Sequence, residues 1–167
     1  MVTRRRTVTT GLALIAGGYL GAIAPRARAQ SLEDALAASD LIYLTPLKGD
    51  GSESSCQAEI WFARHEADLY VVTSSDAWRA QAVGLGLTRT RVWVGDVGVW
   101  SDSGGSYRSL PQIEAVASTV AEVDVQEAVL DIMGDKYRMS WLVWGPRFRN
   151  GLADGSRVML RYRPATA

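Results

Sequence analysis

The sequence predicts an α+β domain that is mostly β: a six-stranded antiparallel barrel with short flanking helices. Three observations carry that prediction. Short runs rich in β-branched and aromatic residues recur along the chain, clusters of Gly, Ser and Asp separate them, and helical spacing appears in only three places. The chain has one cysteine, Cys56, which excludes an intramolecular disulfide. A sheet closed on itself, with no free edges, suits a chain that lacks such staples.

The first 29 residues stand apart. Arg4-Arg5-Arg6 precede a 14-residue apolar stretch from Gly11 to Ala24, and Ala27-Arg28-Ala29 follows. That stretch is too short for a hydrocarbon core, which needs roughly 20 residues, and four glycines dilute it. Basic, apolar and small-residue segments in that order predict a cleavable signal peptide over 1–29 and one domain over 30–167. Thr3-Arg4-Arg5-Arg6-Thr7-Val8 resembles a twin-arginine export signal, with the general secretory route as the alternative. A periplasmic or extracellular location is therefore expected, with no stable membrane span after cleavage.

Charge narrows the function further. Basic and acidic residues number 18 each, but the leader holds five arginines and no acid, so residues 30–167 carry a net charge of −5. That balance argues against a nucleic-acid partner. A single histidine, His65, and a single cysteine give no metal-ligand set.

The elements follow in order. Ser31-Leu-Glu-Asp34 has capping-box spacing and predicts a short helix to about Ser39. Leu41–Thr45 reads as a first strand ending at Pro46, and the Lys48–Ser54 cluster as a turn into a second, Gln57–Ala63. Arg64–Asp68 is a polar hairpin tip before a third strand, Leu69–Thr73. Ala77, Ala80 and Val83 then share a helical face that Gly84 and Gly86 close, which places a helix over one barrel mouth. Arg91–Val94 is the fourth strand, Asp96–Ser106 an exposed mobile loop, and Ile113–Val120 the fifth strand. Asp124-Val-Gln-Glu127 repeats the capping-box spacing and opens a helix to about Tyr137. Arg157–Arg163 alternates as the closing strand.

This order is similar to that of the flavin-binding split β-barrel superfamily, which includes pyridoxamine-phosphate-oxidase-like and deazaflavin-dependent reductases. The residues that carry the resemblance are the Asp50-Gly51 turn, the strand ending Ile60-Trp61-Phe62, the strand ending at Thr73 before a Ser-led helix, and Val92-Trp-Val-Gly95. The likeness spans roughly residues 32–163. It implies FMN or a deazaflavin as cofactor, a small-molecule substrate, oxidoreductase chemistry, and a homodimer with the cofactor at the seam. The phosphate is expected at Thr73, Ser74, Ser75 and Arg79, where hydroxyls and a guanidinium can hold an anion. Gln57, Glu59 and Trp61 share a strand face, and Trp61 matches a Trp position of the family beside the flavin ring. No side chain stands out as catalytic.

Two positions depart from the pattern. Glu59 stands where Pro is common, and Asp76 where Lys or Arg is common. They favour an alternative reading, a non-catalytic exported barrel that takes a small aromatic or apolar ligand or a partner protein through its tryptophans. Plain structural roles compete as well. Ser74-Ser75-Asp76 suits helix capping, and Trp78 and Trp93 suit wall packing. Trp141 and Trp144, near one face of a helical turn, suit packing, with a pocket wall or a dimer seam as the alternative. The Arg147-Phe148-Arg149 segment suits a solvated loop, and His65 a hairpin tip.

Overall fold

The computed structural model describes residues 25–165, with side chains from residue 31 onward. The apolar leader over 1–24 lies outside the described residues. The first helix, α1 (Pro25–Ala38), starts six residues before the expected cap and runs through the expected cleavage point after Ala29. Pro25 suits the first turn, where its missing N–H leaves no helical bond unmade. Leu32, Ala35 and Leu36 pack against the barrel interior.

Seven strands form one antiparallel sheet: β1 (Leu41–Pro46), β2 (Ala58–Trp61), β3 (Ala63–His65), β4 (Asp68–Ser74), β5 (Arg89–Val94), β6 (Gln112–Val120) and β7 (Arg157–Pro164). Their order is β2-β1-β5-β6-β7-β4-β3, so the two outermost strands are consecutive in sequence and the sheet nearly closes into a barrel. The count exceeds the expected six because the second strand breaks at Phe62. There a side chain replaces the ladder. Tyr137 Oη accepts the Phe62 N–H (2.8 Å) and lies 2.9 Å from the Phe62 carbonyl and 2.8 Å from that of Asp40.

Alternation along the strands fills the interior. Ile42, Leu44, Phe62, Leu69, Val71, Val92, Val94, Leu160 and Tyr162 are buried in one cluster. Helix α2 (Trp78–Gly84) adds Val83 to that cluster and caps the barrel end as expected. Trp93 is wall packing, whereas Trp78 is 38% exposed. Ala77 precedes the helix with no side-chain cap; Ser74 ends β4, and Ser75 and Asp76 form a turn rather than the expected cap.

Helix α3 (Val123–Asp154) departs most from expectation. It starts one residue before Asp124 without a side-chain cap, breaks at Arg138 (φ 41°, ψ −107°), and continues as a second arm through Pro146. The arms lie against each other: Arg149 pairs with Asp131 at 3.0 Å, and Trp141 fits against Gly134 and Gly145. Arg147-Phe148-Arg149 is thus helical, with Phe148 buried. Val129, Met133, Tyr137 and Phe148 cover the outer face of β4 and β7 through Tyr70, Val72 and Met159.

The loop after β5 is exposed but tied down. Tyr43 Oη donates to Gly98 O (2.6 Å) and accepts Val97 N–H (2.9 Å), while Tyr107 and Trp100 join Trp93 in a third cluster. Asp68, expected in the polar tip, is buried beside Arg163 at 3.3 Å.

Candidate functional site

Strands β2 and β4 are not paired with each other, and the gap between them is the split in the barrel. A cleft of about 550 Å³ occupies it. Glu59, Ile60 and Trp61 line one side and Val72, Thr73 and Ser74 the other; Arg79 reaches in from α2, Arg157 from β7, and Trp144 and Phe148 from the second arm of α3.

Of the residues expected from the sequence, Glu59, Trp61, Thr73, Ser74 and Arg79 come together here. Gln57 and Ser75 do not line the cleft. Gln57 accepts the Tyr107 hydroxyl proton at 3.0 Å, and Ser75 donates through its hydroxyl and its amide to Ser156 O. Asp76 is exposed and away from the lining, so its charge does not sit in the cleft. The sequence reading missed Arg157, Phe148, Ile60, Val72 and Leu41. Arg157 opens β7 immediately after a Gly-Ser turn, and its position is set by pairing with Ser74 across the sheet.

Arg79 is held in place by its neighbour. Its Nη1 donates to Thr73 Oγ1 at 2.5 Å, and its Nε is buried without a hydrogen-bond partner. Three buried side-chain polar atoms lack partners among the described residues, and this one alone belongs to a cleft-lining residue. A buried donor left unpaired costs about 1–3 kcal/mol, so an acceptor brought by a ligand would remove that penalty. Arg157 lies over the Phe148 ring, 5.2 Å from its centroid, and has no ion-pair partner among the described residues. The two guanidiniums, Thr73 and Ser74 line the same cleft, and donors of this kind can hold an oxyanion.

The aromatic wall is layered. Tyr137 stacks on one face of Trp61 (4.2 Å, 7°), and Trp144 meets Trp61 edge-on at 6.2 Å. One face of Trp61 is thus taken up by Tyr137. Burial drives the Tyr137 and Tyr162 phenols well above their ordinary range, and both stay neutral in the folded protein. Lys136, at the bend, donates to Phe62 O at 3.3 Å, and burial lowers its ammonium to about 8. Among the described residues no group of three or more His, Cys, Asp or Glu could hold a metal ion.

The nearly closed antiparallel barrel with this cleft is a split-barrel fold, and solved structures share it. The heme storage protein HutZ of Vibrio cholerae is similar at a TM-score of 0.57 and 14% identity, over 83% of this chain and 90% of that one. A pyridoxamine 5'-phosphate oxidase candidate from Listeria innocua gives 0.53 and 14%, over 82% and 93%. The conserved hypothetical protein Rv2991 of Mycobacterium tuberculosis gives 0.55 and 19%, over 82% and 80%. Identities this low speak for the fold. No protein-family model matches the sequence, and no curated protein gives a significant match.

Proposed function

We propose that this chain binds a flavin-type cofactor, FMN or a deazaflavin, in the cleft between β2 and β4 and acts on a small molecule as an oxidoreductase. The observation that carries the reading is Arg79 Nε, buried without an acceptor in a cleft that already presents Thr73, Ser74 and Arg157. These residues would hold the phosphate, and Trp61 with Trp144 would wall the ring. Such a cofactor supplies the hydride chemistry when bound. The chain's own part is then to bind, to orient and to exclude water, which agrees with a cleft that presents no histidine.

The leader extends the proposal to export through the twin-arginine route, and the family resemblance extends it to a homodimer. The exposed ridge of Met139, Leu142, Val143 and Trp144 supports a contact surface beside the cleft. The same ridge, with Trp61, Trp144 and Phe148 on the cleft wall, favours the second reading, a non-catalytic barrel that takes an aromatic ligand or a partner protein.

The test is the visible spectrum of the folded protein purified from cells, followed by titration with FMN and with a deazaflavin. A bound chromophore, or micromolar uptake that Arg79→Ala abolishes, is expected. A colourless protein that takes up neither cofactor, yet shows tryptophan quenching with apolar aromatics, would establish the second reading instead.

A further inference from the structure

The two arms of α3 present opposite chemistry to the outside. Along the first arm Asp124, Glu127, Asp131 and Asp135 recur at intervals of three and four, and all are exposed. That is the polar outer stripe of a helix packed on a sheet. The second arm turns Trp141, Gly145, Phe148 and Leu152 inward at the same intervals, all buried or half-buried. Its outer stripe is Met139, Leu142, Val143 and Pro146. Met139 is 77% exposed, Leu142 70% and Val143 55%. This arm is therefore apolar on both faces, and an apolar face of that extent is normally covered.

Charge is sorted with it. Residues 30–167 carry a net −5, yet the stretch 136–153 holds Lys136, Arg138, Arg147 and Arg149 and no acid. Of these four, Arg149 alone is in an ion pair among the described residues, with Asp131. Arg138 and Arg147 are exposed at either end of the apolar stripe, and Arg147 lies over the Trp144 ring, 5.1 Å from its centroid. Arg138 sits at the turn of the hairpin with φ 41°, a backbone conformation that favours glycine.

We infer that the outer stripe of the second arm docks the protein on an anionic lipid surface. Met139, Leu142 and Val143 enter the boundary between headgroups and acyl chains, and Arg138 and Arg147 meet the phosphates. Guanidiniums on flexible stems reach such phosphates while the apolar side chains between them are buried. A second copy laid antiparallel on the same stripe would instead set guanidinium against guanidinium at both ends. The acidic stripe keeps the first arm in water, which confines the contact to the second. This inference rests on the contact surface proposed beside the cleft and names its partner; it does not depend on which cofactor the cleft takes. Because Trp144 belongs to both, docking places the cleft beside the bilayer.

The test is co-sedimentation of the protein purified from cells with sucrose-loaded vesicles of phosphatidylglycerol and of phosphatidylcholine. Every variant carries the same N terminus, so any affinity of the leader cancels between them. Phosphatidylglycerol is expected to bind at least about tenfold more tightly than phosphatidylcholine. Leu142→Ser combined with Val143→Ser should weaken that binding at least about tenfold, with the melting curve kept because both residues are exposed. Arg138→Gly, which removes a charge where glycine is unstrained, should cost about fivefold on phosphatidylglycerol and little on phosphatidylcholine. Val123→Ser, an exposed apolar residue at the start of the first arm, should change neither. Equal binding to the two lipids, or binding that the ridge substitutions leave intact, overturns the inference and leaves the cofactor reading standing. A dimer in lipid-free buffer that Leu142→Ser with Val143→Ser dissociates assigns the stripe to a second copy and also overturns it. Cofactor titration reads the cleft alone, so failure of that reading is seen separately.

Discussion

Replacing Tyr137 with Phe removes one hydroxyl from the bend of the barrel and leaves the ring stacked on Trp61. Three main-chain groups touch that hydroxyl, and they are affected unequally. The Asp40 carbonyl belongs to an exposed residue and regains water, and the Phe62 carbonyl keeps Lys136 Nζ at 3.3 Å. The Phe62 N–H loses its acceptor inside a fully buried residue. The expected cost is that of one orphaned buried donor, about 1–3 kcal/mol. It is measurable as a lowered urea midpoint at unchanged m, or as a Tm fall of roughly 3–4 °C per kcal/mol for a domain of this size. Native-state hydrogen exchange should show the Phe62 amide losing protection more than its neighbours. A stability change below about 0.5 kcal/mol, with the Phe62 amide as protected as before, would refute the view that this hydroxyl replaces the missing ladder bonds.

Other perturbations probe other parts. Gly145→Ala sets a Cβ 2.8 Å from the rigid Trp141 indole, so a loss of about 1–3 kcal/mol and an altered near-ultraviolet circular dichroism spectrum are expected. Lys136 has a folded value of about 8 against 10.5 when unfolded. The unfolded chain therefore binds more protons between those values, and stability should rise with pH from about 8 toward 10. Lys136→Met should abolish that rise in urea midpoints compared at pH 7.5 and 9.5. Thr73→Val preserves side-chain shape but frees the Arg79 guanidinium from its acceptor. Phosphate affinity, read by calorimetry, should fall about three- to tenfold with the melting curve little changed.

Much of the fold was legible because it is local. Strands β1, β4, β5, β6 and β7 are runs of β-branched and aromatic residues between turn residues, and their edges fall within two residues of expectation. The break at Phe62 was not legible, since its cause, Tyr137, lies 75 positions along the chain. The second arm of α3 was not legible: the expected helix ends at about Tyr137, and Gly145 and Pro146 are poor helix formers. In the structure Gly145 admits the Trp141 ring and Phe148 is buried, so packing outweighs propensity there. The site divides in the same way. Thr73, Ser74 and Arg79 lie within one strand-to-helix passage and could be found together, whereas Arg157, Trp144 and Phe148 reach the cleft only through the sheet order and the folded-back helix.

The sheet's first and last strands meet at one peptide, Phe62, rather than along a ladder, and the aperture between β2 and β4 opens from that point. Among the described residues no ladder bond spans that aperture. Side chains rather than ladder bonds therefore border a guest in that gap, and the joint between β2 and β3 is held by a phenol contributed from the far end of the domain.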